Sequence, residues 1–303
     1  MAPVWHTQQW QVAVPAGAEL GERPVWDASA RAMIWVDILA GRLHRFRVAD
    51  GGAARDDEVI VDLGVPIGSA APRQGGGYVL AAADGFRLTG PDGTPVGAPN
   101  RPADMTDDQQ FNDGVCDPAG RFWAGTTSAG LRPGASALYR LDGDGRITRM
   151  LTGVTESNGI GWSPDGSTMY YIDSGEKPRR VRAFDYDVIS GTIGGERELI
   201  CYKAEDDYPD GLVVDADGHL WIAFWGGGQV RRYDPAGGLV EVVELPVSRP
   251  TCAGFGGPDL AELYVTSAWE ELDAAQRAAE PLAGHVLRIM TAARGLPVTG
   301  YRG

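Results

Sequence analysis

Short apolar runs separated by turn residues recur along almost the whole chain, and helical periodicity is nearly absent. Three stretches match in detail: FNDGVCDPAGRFWAGT from Phe111 to Thr126, SNGIGWSPDGSTMYYIDS from Ser157 to Ser174, and YPDGLVVDADGHLWIAFW from Tyr208 to Trp225. Each reads as an Asn/Asp-Gly start, a short apolar strand, a D-x-x-G or D-G turn, and a second apolar strand carrying Trp or Tyr. Weaker copies start at Glu22, Ser69 and Thr251. The six starts, at 22, 69, 112, 158, 210 and 251, lie 41 to 52 residues apart, the spacing of one four-stranded blade per unit.

The second half of most units supplies two more period-two strands, as in GRLHRFRVADG and RRVRAFDYDVISGTI, broken by D-G and G-G turns. The pattern predicts an all-β fold, a six-bladed β-propeller of four-stranded antiparallel blades, formed by residues 1–303 as one domain. A blade cannot bury both faces alone, so neighbours must stack and the ring must close. Residues 10–17, WQVAVPAG, are expected to close it by lending a strand to the last blade. One short helix is predicted, from Glu270 to Ala279, as a loop excursion inside the last unit.

Charge and cysteine usage narrow the function. The chain carries 41 acidic against 27 basic residues, a formal charge of −14, with no Lys/Arg-rich run. That argues against a nucleic-acid or anionic-membrane partner and leaves either a solvated surface or attraction for a cation. The N-terminus has no basic start followed by an apolar run, and no long apolar stretch occurs later. Cys116, Cys201 and Cys252 are odd in number and far apart, which argues against a disulfide framework or a structural zinc site and suits a reducing cytoplasm. With no apolar stripe to announce an interface, a monomer is expected.

Residues just before the innermost strands of a propeller gather at one mouth of the channel. Glu22, Asn112, Asn158 and Asp210 all fall there. Carboxylates and amide oxygens are hard ligands that suit Ca²⁺, Mg²⁺ or Mn²⁺, whereas Zn²⁺ usually prefers His or Cys. Three protein ligands would leave positions for water and substrate. The competing reading is turn chemistry, since Asn158 and Asp210 each stand before a glycine, but Glu22 has no turn role before Arg.

At these residues the chain resembles the SMP-30/gluconolactonase/regucalcin-like family. GERPVW, QFNDG followed by DPAGRFWAGT, SNGIGWS with YYIDS, AFDYD, and PDGLVVDADGHLWIA with GGQVRRYDP occur in the family's order, from about Leu20 to about Ile289. The resemblance implies a six-bladed propeller with one divalent metal ion (Ca²⁺, Mg²⁺, Mn²⁺ or Zn²⁺) and hydrolysis of aldonolactones. It implies that Glu22, Asn158 and Asp210 bind the metal, that Asn112 faces the substrate, and that Asp210 is the general base. Asp173 either supports this set or caps backbone amides at a strand end. Many sugar-lactonase members carry an Arg where this chain has Gln110, and some carry an acidic residue where its loop reads TSAG up to Gly130.

On this reading a metal-polarised lactone carbonyl is attacked by water while Asp210 takes and returns the proton. Asn112 and Gln110 orient the substrate, and Trp225 with residues 127–134 and 174–180 are expected as walls or, alternatively, as core and exposed loop. A Ser/His route is set aside: no G-x-S-x-G occurs, and His219 sits in a turn away from the mouth. Two rivals remain, namely the same metal site acting on a non-sugar lactone, ester or biosynthetic intermediate, and a non-catalytic calcium-binding propeller.

Overall fold

Asp117 and Asp215 end their innermost strands and turn the chain back. The Oδ1 of Asp117 accepts from the N–H groups of Ala119 and Arg121, and that of Asp215 from Asp217 and His219. Gly120 and Gly218 complete the two turns at φ +79° and +84°, a left-handed backbone that glycine adopts without steric cost. A second, buried strand follows, Phe122–Ser128 in one unit and Leu220–Phe224 in the other, and each unit becomes a meander.

The computed structural model describes residues 4–6, 10–48, 54–203 and 207–303. Its six sheets form a six-bladed β-propeller. Blade 1 runs outward from Gly21–Asp27 through Ala32–Asp37 and Arg42–Val48 to Ala54–Asp62. Blades 2, 3 and 4 repeat this order from innermost strands Ile67–Pro72, Gln109–Cys116 and Ser157–Trp162. Blade 5 starts at Pro209–Val214, ends at Leu239–Glu244, and gains an unforeseen fifth strand, Val4–His6, paired in parallel.

Blade 6 contains Pro250–Gly256, Glu262–Ser267 and Val286–Met290, and its outermost strand is Trp10–Val14 from the start of the chain. The ring therefore closes through the segment expected to do so. The helix in this blade is shorter than the sequence pattern predicts, Ala274–Ala279 instead of Glu270 to Ala279. Asp273 caps it: its side chain accepts from the N–H groups of Ala275 and Gln276, while Gln276 accepts from the Asp273 N–H. Glu271, at φ +59°, lies outside helical space.

Six clusters of buried apolar side chains hold the ring, one between each pair of neighbouring blades. Between blades 3 and 4, Trp123 meets Trp162 edge to face at 5.8 Å; between blades 5 and 6, Trp221 meets Phe255 at 6.0 Å. Among the described residues no helix is long and apolar enough to cross a membrane. Cys116, Cys201 and Cys252 are free thiols.

Candidate functional site

All six innermost strands break register near the same point. The ladder shifts between Glu22 and Val25, Ile67 and Ser69, Phe111 and Gly114, Ser157 and Ile160, Pro209 and Leu212, and Pro250 and Ala253. A bulge leaves a residue unpaired and re-aims its side chain. Glu22, Asn112, Asn158 and Asp210 all lie at these bulges, inside strands and not in turns, so turn chemistry does not account for them.

Blade 1 adds a second distortion. Arg23 sits at φ +46°, strained for a residue with a Cβ by about 1–2 kcal/mol. Its backbone N–H donates to Glu22 Oε2 at 2.8 Å, and its guanidinium crosses the channel. There it bonds Asp113 Oδ2 of blade 3 and the Leu212 carbonyl of blade 5, each at 3.2 Å, the Ile160 carbonyl of blade 4 and the Cys252 Sγ of blade 6. Contacts on four other blades offset the strain.

Glu22, Asn158 and Asp210 are 5%, 3% and 6% exposed. Burial, then the charge of Asp113, pushes the Glu22 carboxyl up to about 8, although the Arg23 N–H and guanidinium pull the other way. Burial pushes Asp210 well above the usual carboxylate range, and Glu22, Glu156 and Asp113 push it further. Asp113 is raised by burial and pulled back by Arg23. The Arg23 guanidinium thus compensates Asp113 and Glu22, while the charged groups acting on Asp210 are all carboxylates. Neither oxygen of Asp210 receives a hydrogen bond from a described residue.

The amide orientations follow from a chain of donors. The Ser174 hydroxyl spends its proton on the Pro209 carbonyl, 2.6 Å away, so it can only accept from Asn158. Asn158 Nδ2 therefore faces Ser174, and its Oδ1 faces Asn112 Nδ2, which also donates to the Ser157 carbonyl. The second lone pair of Asn158 Oδ1 is left for another partner. Gln110, half-buried, pairs with Thr127 across the ladder and its side chain bonds no described residue.

Asp173 caps backbone amides, accepting from the N–H groups of Thr155, Glu156 and Gly175. Sequence reasoning missed Arg23, Asp113, Glu156 and Ser174. Asp113 follows Asn112 directly in NDG and Glu156 stands two residues before Asn158 in ESNG, and that proximity was the available signal. The segments expected as walls converge on Glu156 and Tyr208: Thr127 bridges Glu156, Arg179 stacks on the Tyr208 ring at 4.0 Å, and the Trp225 N–H donates to the Tyr208 carbonyl. The Tyr208 hydroxyl in turn donates to Glu156.

Asp215, Asp217 and His219 form a second oxygen and nitrogen cluster, with ligand atoms within 4.8 Å of one another. It lies beyond the far end of the strand that begins beside Asp210. Asp215 is already saturated: besides two backbone donors, its Oδ2 accepts from Trp221 Nε1 and from Arg232 Nε and Nη2 at 3.0, 3.0 and 2.6 Å. A metal there would displace a cation already bonded. Asp117 makes the same turn, with Trp123 Nε1, Arg121 and the Tyr186 hydroxyl on its Oδ2.

Residues 20–269 match the SMP-30/Gluconolactonase/LRE-like region. The chain belongs to this family. Regucalcin of Xenopus laevis is 36% identical over 94% of this chain and 95% of its own length, and regucalcin of Homo sapiens is 35% identical over 96% and 95%. The solved structure of a calcium-binding regucalcin from Agrobacterium tumefaciens superimposes with a TM-score of 0.92 at 29% identity, covering the whole of both chains. A luciferin-regenerating enzyme follows with a TM-score of 0.86 at 26% identity, covering 97% and 99%. Both solved structures thus share this fold over nearly the whole of this chain.

Proposed function

We propose that this protein is a metal-dependent lactone hydrolase, with Glu22, Asn158 and Asp210 as ligands of one divalent ion and a sugar-acid lactone as its substrate. The observation that carries the reading is the charge balance at the mouth: Glu22 and Asp113 are buried around the single charge of Arg23, and Asp210, pressed by Glu22, Glu156 and Asp113, receives no hydrogen bond from a described residue. Buried charge of this kind is stable only when paired or coordinated. The carboxylate and amide oxygens of Glu22, Asn158 and Asp210 fit a hard cation, and a calcium-binding relative of the same shape supports Ca²⁺.

A divalent ion held there supplies the positive charge that polarises a lactone carbonyl and keeps the clustered carboxylates ionised. Asp210 accepts a proton from the attacking water as its oxygen bonds the carbonyl carbon. The acyl C–O bond of the ring then breaks, and Asp210 returns the proton to the departing ring oxygen, giving the hydroxy acid. Asn112 Oδ1, free of any described donor, and Gln110 bind substrate hydroxyls. The protein works as a monomer of one domain in the cytoplasm, on a small molecule and without nucleic-acid or membrane partners, in keeping with its charge of −14.

Gln110 favours a second reading. It lacks the charged fork of an arginine, so a non-sugar lactone or ester competes as substrate. Chelator-stripped protein, reloaded with single divalent ions, is tested by acid release from aldonolactones and non-sugar lactones. Ion-dependent hydrolysis of a sugar lactone supports the first reading, activity confined to other lactones the second, and no hydrolysis with any ion refutes both.

A further inference from the structure

The channel continues past Arg23, away from the carboxylates. There a cavity of about 290 Å³ is bounded by the later residues of the innermost strands, among them Val25, Val115, Ile160, Leu212 and Phe255, with Arg23 at its inner end. Leu296, Pro297, Val298 and Thr299 lie across its outer side. These belong to a C-terminal strap that spans the ring. At one end Gly295 pairs with Asp215 of blade 5 and its N–H donates to the Leu260 carbonyl of blade 6.

At the other end Tyr301 bridges Arg73 beyond blade 2, and its hydroxyl donates to the Asp142 carbonyl beyond blade 3, while the Arg302 N–H donates to the Gly120 carbonyl. Between these anchors residues 296–299 hydrogen-bond no described residue. The hydrogen bonds that hold the span over the cavity thus lie at its ends.

We propose that this chamber is a second binding site, for a small, neutral, largely apolar molecule of one or two rings that enters beneath the strap. The walls offer aliphatic and aromatic carbon. Arg23, the charged group among the lining residues, is matched by Asp113 at 3.2 Å, its Nη1 also faces the Leu212 carbonyl and Cys252, and its Nη2 donates to the Ile160 carbonyl. An anion would have to compete with Asp113 for a guanidinium already paired at 3.2 Å, whereas a neutral apolar guest meets no such competition. A mainly apolar lining of this kind favours benzene-like guests.

The chamber cannot close by collapse, because the inner strands are already in contact: a Cβ at Gly254 would meet the Pro24 carbonyl oxygen at 1.9 Å. Its volume is at the small end of ligand pockets, which span roughly 300–1,000 Å³. The site shares only Arg23 with the carboxylate mouth and stands independently of the lactonase reading.

Indole, a neutral probe, and benzoate, an anionic one, are titrated calorimetrically into the full-length protein. The expected result is saturable one-to-one binding of indole, with benzoate at least about tenfold weaker. Asp210→Asn leaves indole affinity unchanged. Val115→Phe and Val213→Phe, at half-buried wall positions, each weaken it at least about tenfold, and Val298→Trp on the exposed strap does the same should those variants fail to fold. Absent indole binding, benzoate binding as tight as indole, full affinity in every folded filling variant, or loss in Asp210→Asn would each overturn the proposal.

Discussion

Asn112 of blade 3 donates through Nδ2 to Asn158 Oδ1 of blade 4, 2.9 Å away, and this bond begins a relay that crosses three blades. Asn158 Nδ2 donates to Ser174 Oγ, which donates to the carbonyl of Pro209, the residue before Asp210. The relay fixes which atom of Asn158 faces the mouth and ties it to the chain position of the carboxylate beside it.

Ser174→Ala removes the acceptor that orients Asn158 without touching a proposed ligand. Losing an orienting partner of a ligand typically costs 10–100-fold in metal affinity. The expected result is a drop of about that size in divalent-ion affinity by calorimetry, with a stability loss of only about 1 kcal/mol. Unchanged affinity would mean that the relay does not position Asn158.

Protons compete with an ion at Glu22. Its carboxyl rises from an ordinary 4.5 to about 8, chiefly by burial and next by the charge of Asp113. Between these values the folded metal-free protein holds a proton that the unfolded chain has lost, so stability falls as pH rises through the window and levels off above it. Asp210 shifts in the same direction. Added Ca²⁺ should raise the melting temperature more at about pH 8.5 than at about pH 6, and binding at the lower pH should release protons, read from the buffer dependence of the calorimetric heat. Glu22→Gln should flatten both trends.

Much of this arrangement is legible in the sequence, and the illegible parts share a cause. The blades announce themselves through Asp117–Gly120 and Asp215–Gly218, where side chain and backbone make a local turn, and through strands whose period is two. Repeat alignment then brings Glu22, Asn112, Asn158 and Asp210 to one bulge position. Arg23 could not be read, because its left-handed backbone is held by partners on four distant blades. The strap and the parallel strand Val4–His6 carry no repeat, and only tertiary pairing defines them.

Arg23 and Asp113 form a buried ion pair, with side chains 6% and 1% exposed. Arg23→Met leaves Asp113 uncompensated beside two further carboxylates, so a loss of about 3–5 kcal/mol is expected in urea denaturation. Adding Asp113→Asn removes the stranded charge and should recover part of that loss. An equal loss in the double variant would show that packing, and not charge, is what Arg23 contributes.

The Asp215 cluster should behave as a structural turn. Asp215→Asn weakens charge-assisted bonds to Arg232 and should cost about 1.5–3 kcal/mol of stability while leaving divalent-ion affinity as it was. A large loss of affinity in the folded variant would move the metal site to that end of the ring.

Crystals soaked in Mn²⁺ and recorded for anomalous scattering locate the ion directly. One strong peak is expected at the mouth, within coordination distance of oxygens from Glu22, Asn158 and Asp210 and absent from Asp210→Asn crystals. A peak at Asp215 and His219 instead, or no peak between the three residues under saturating ion, would contradict it.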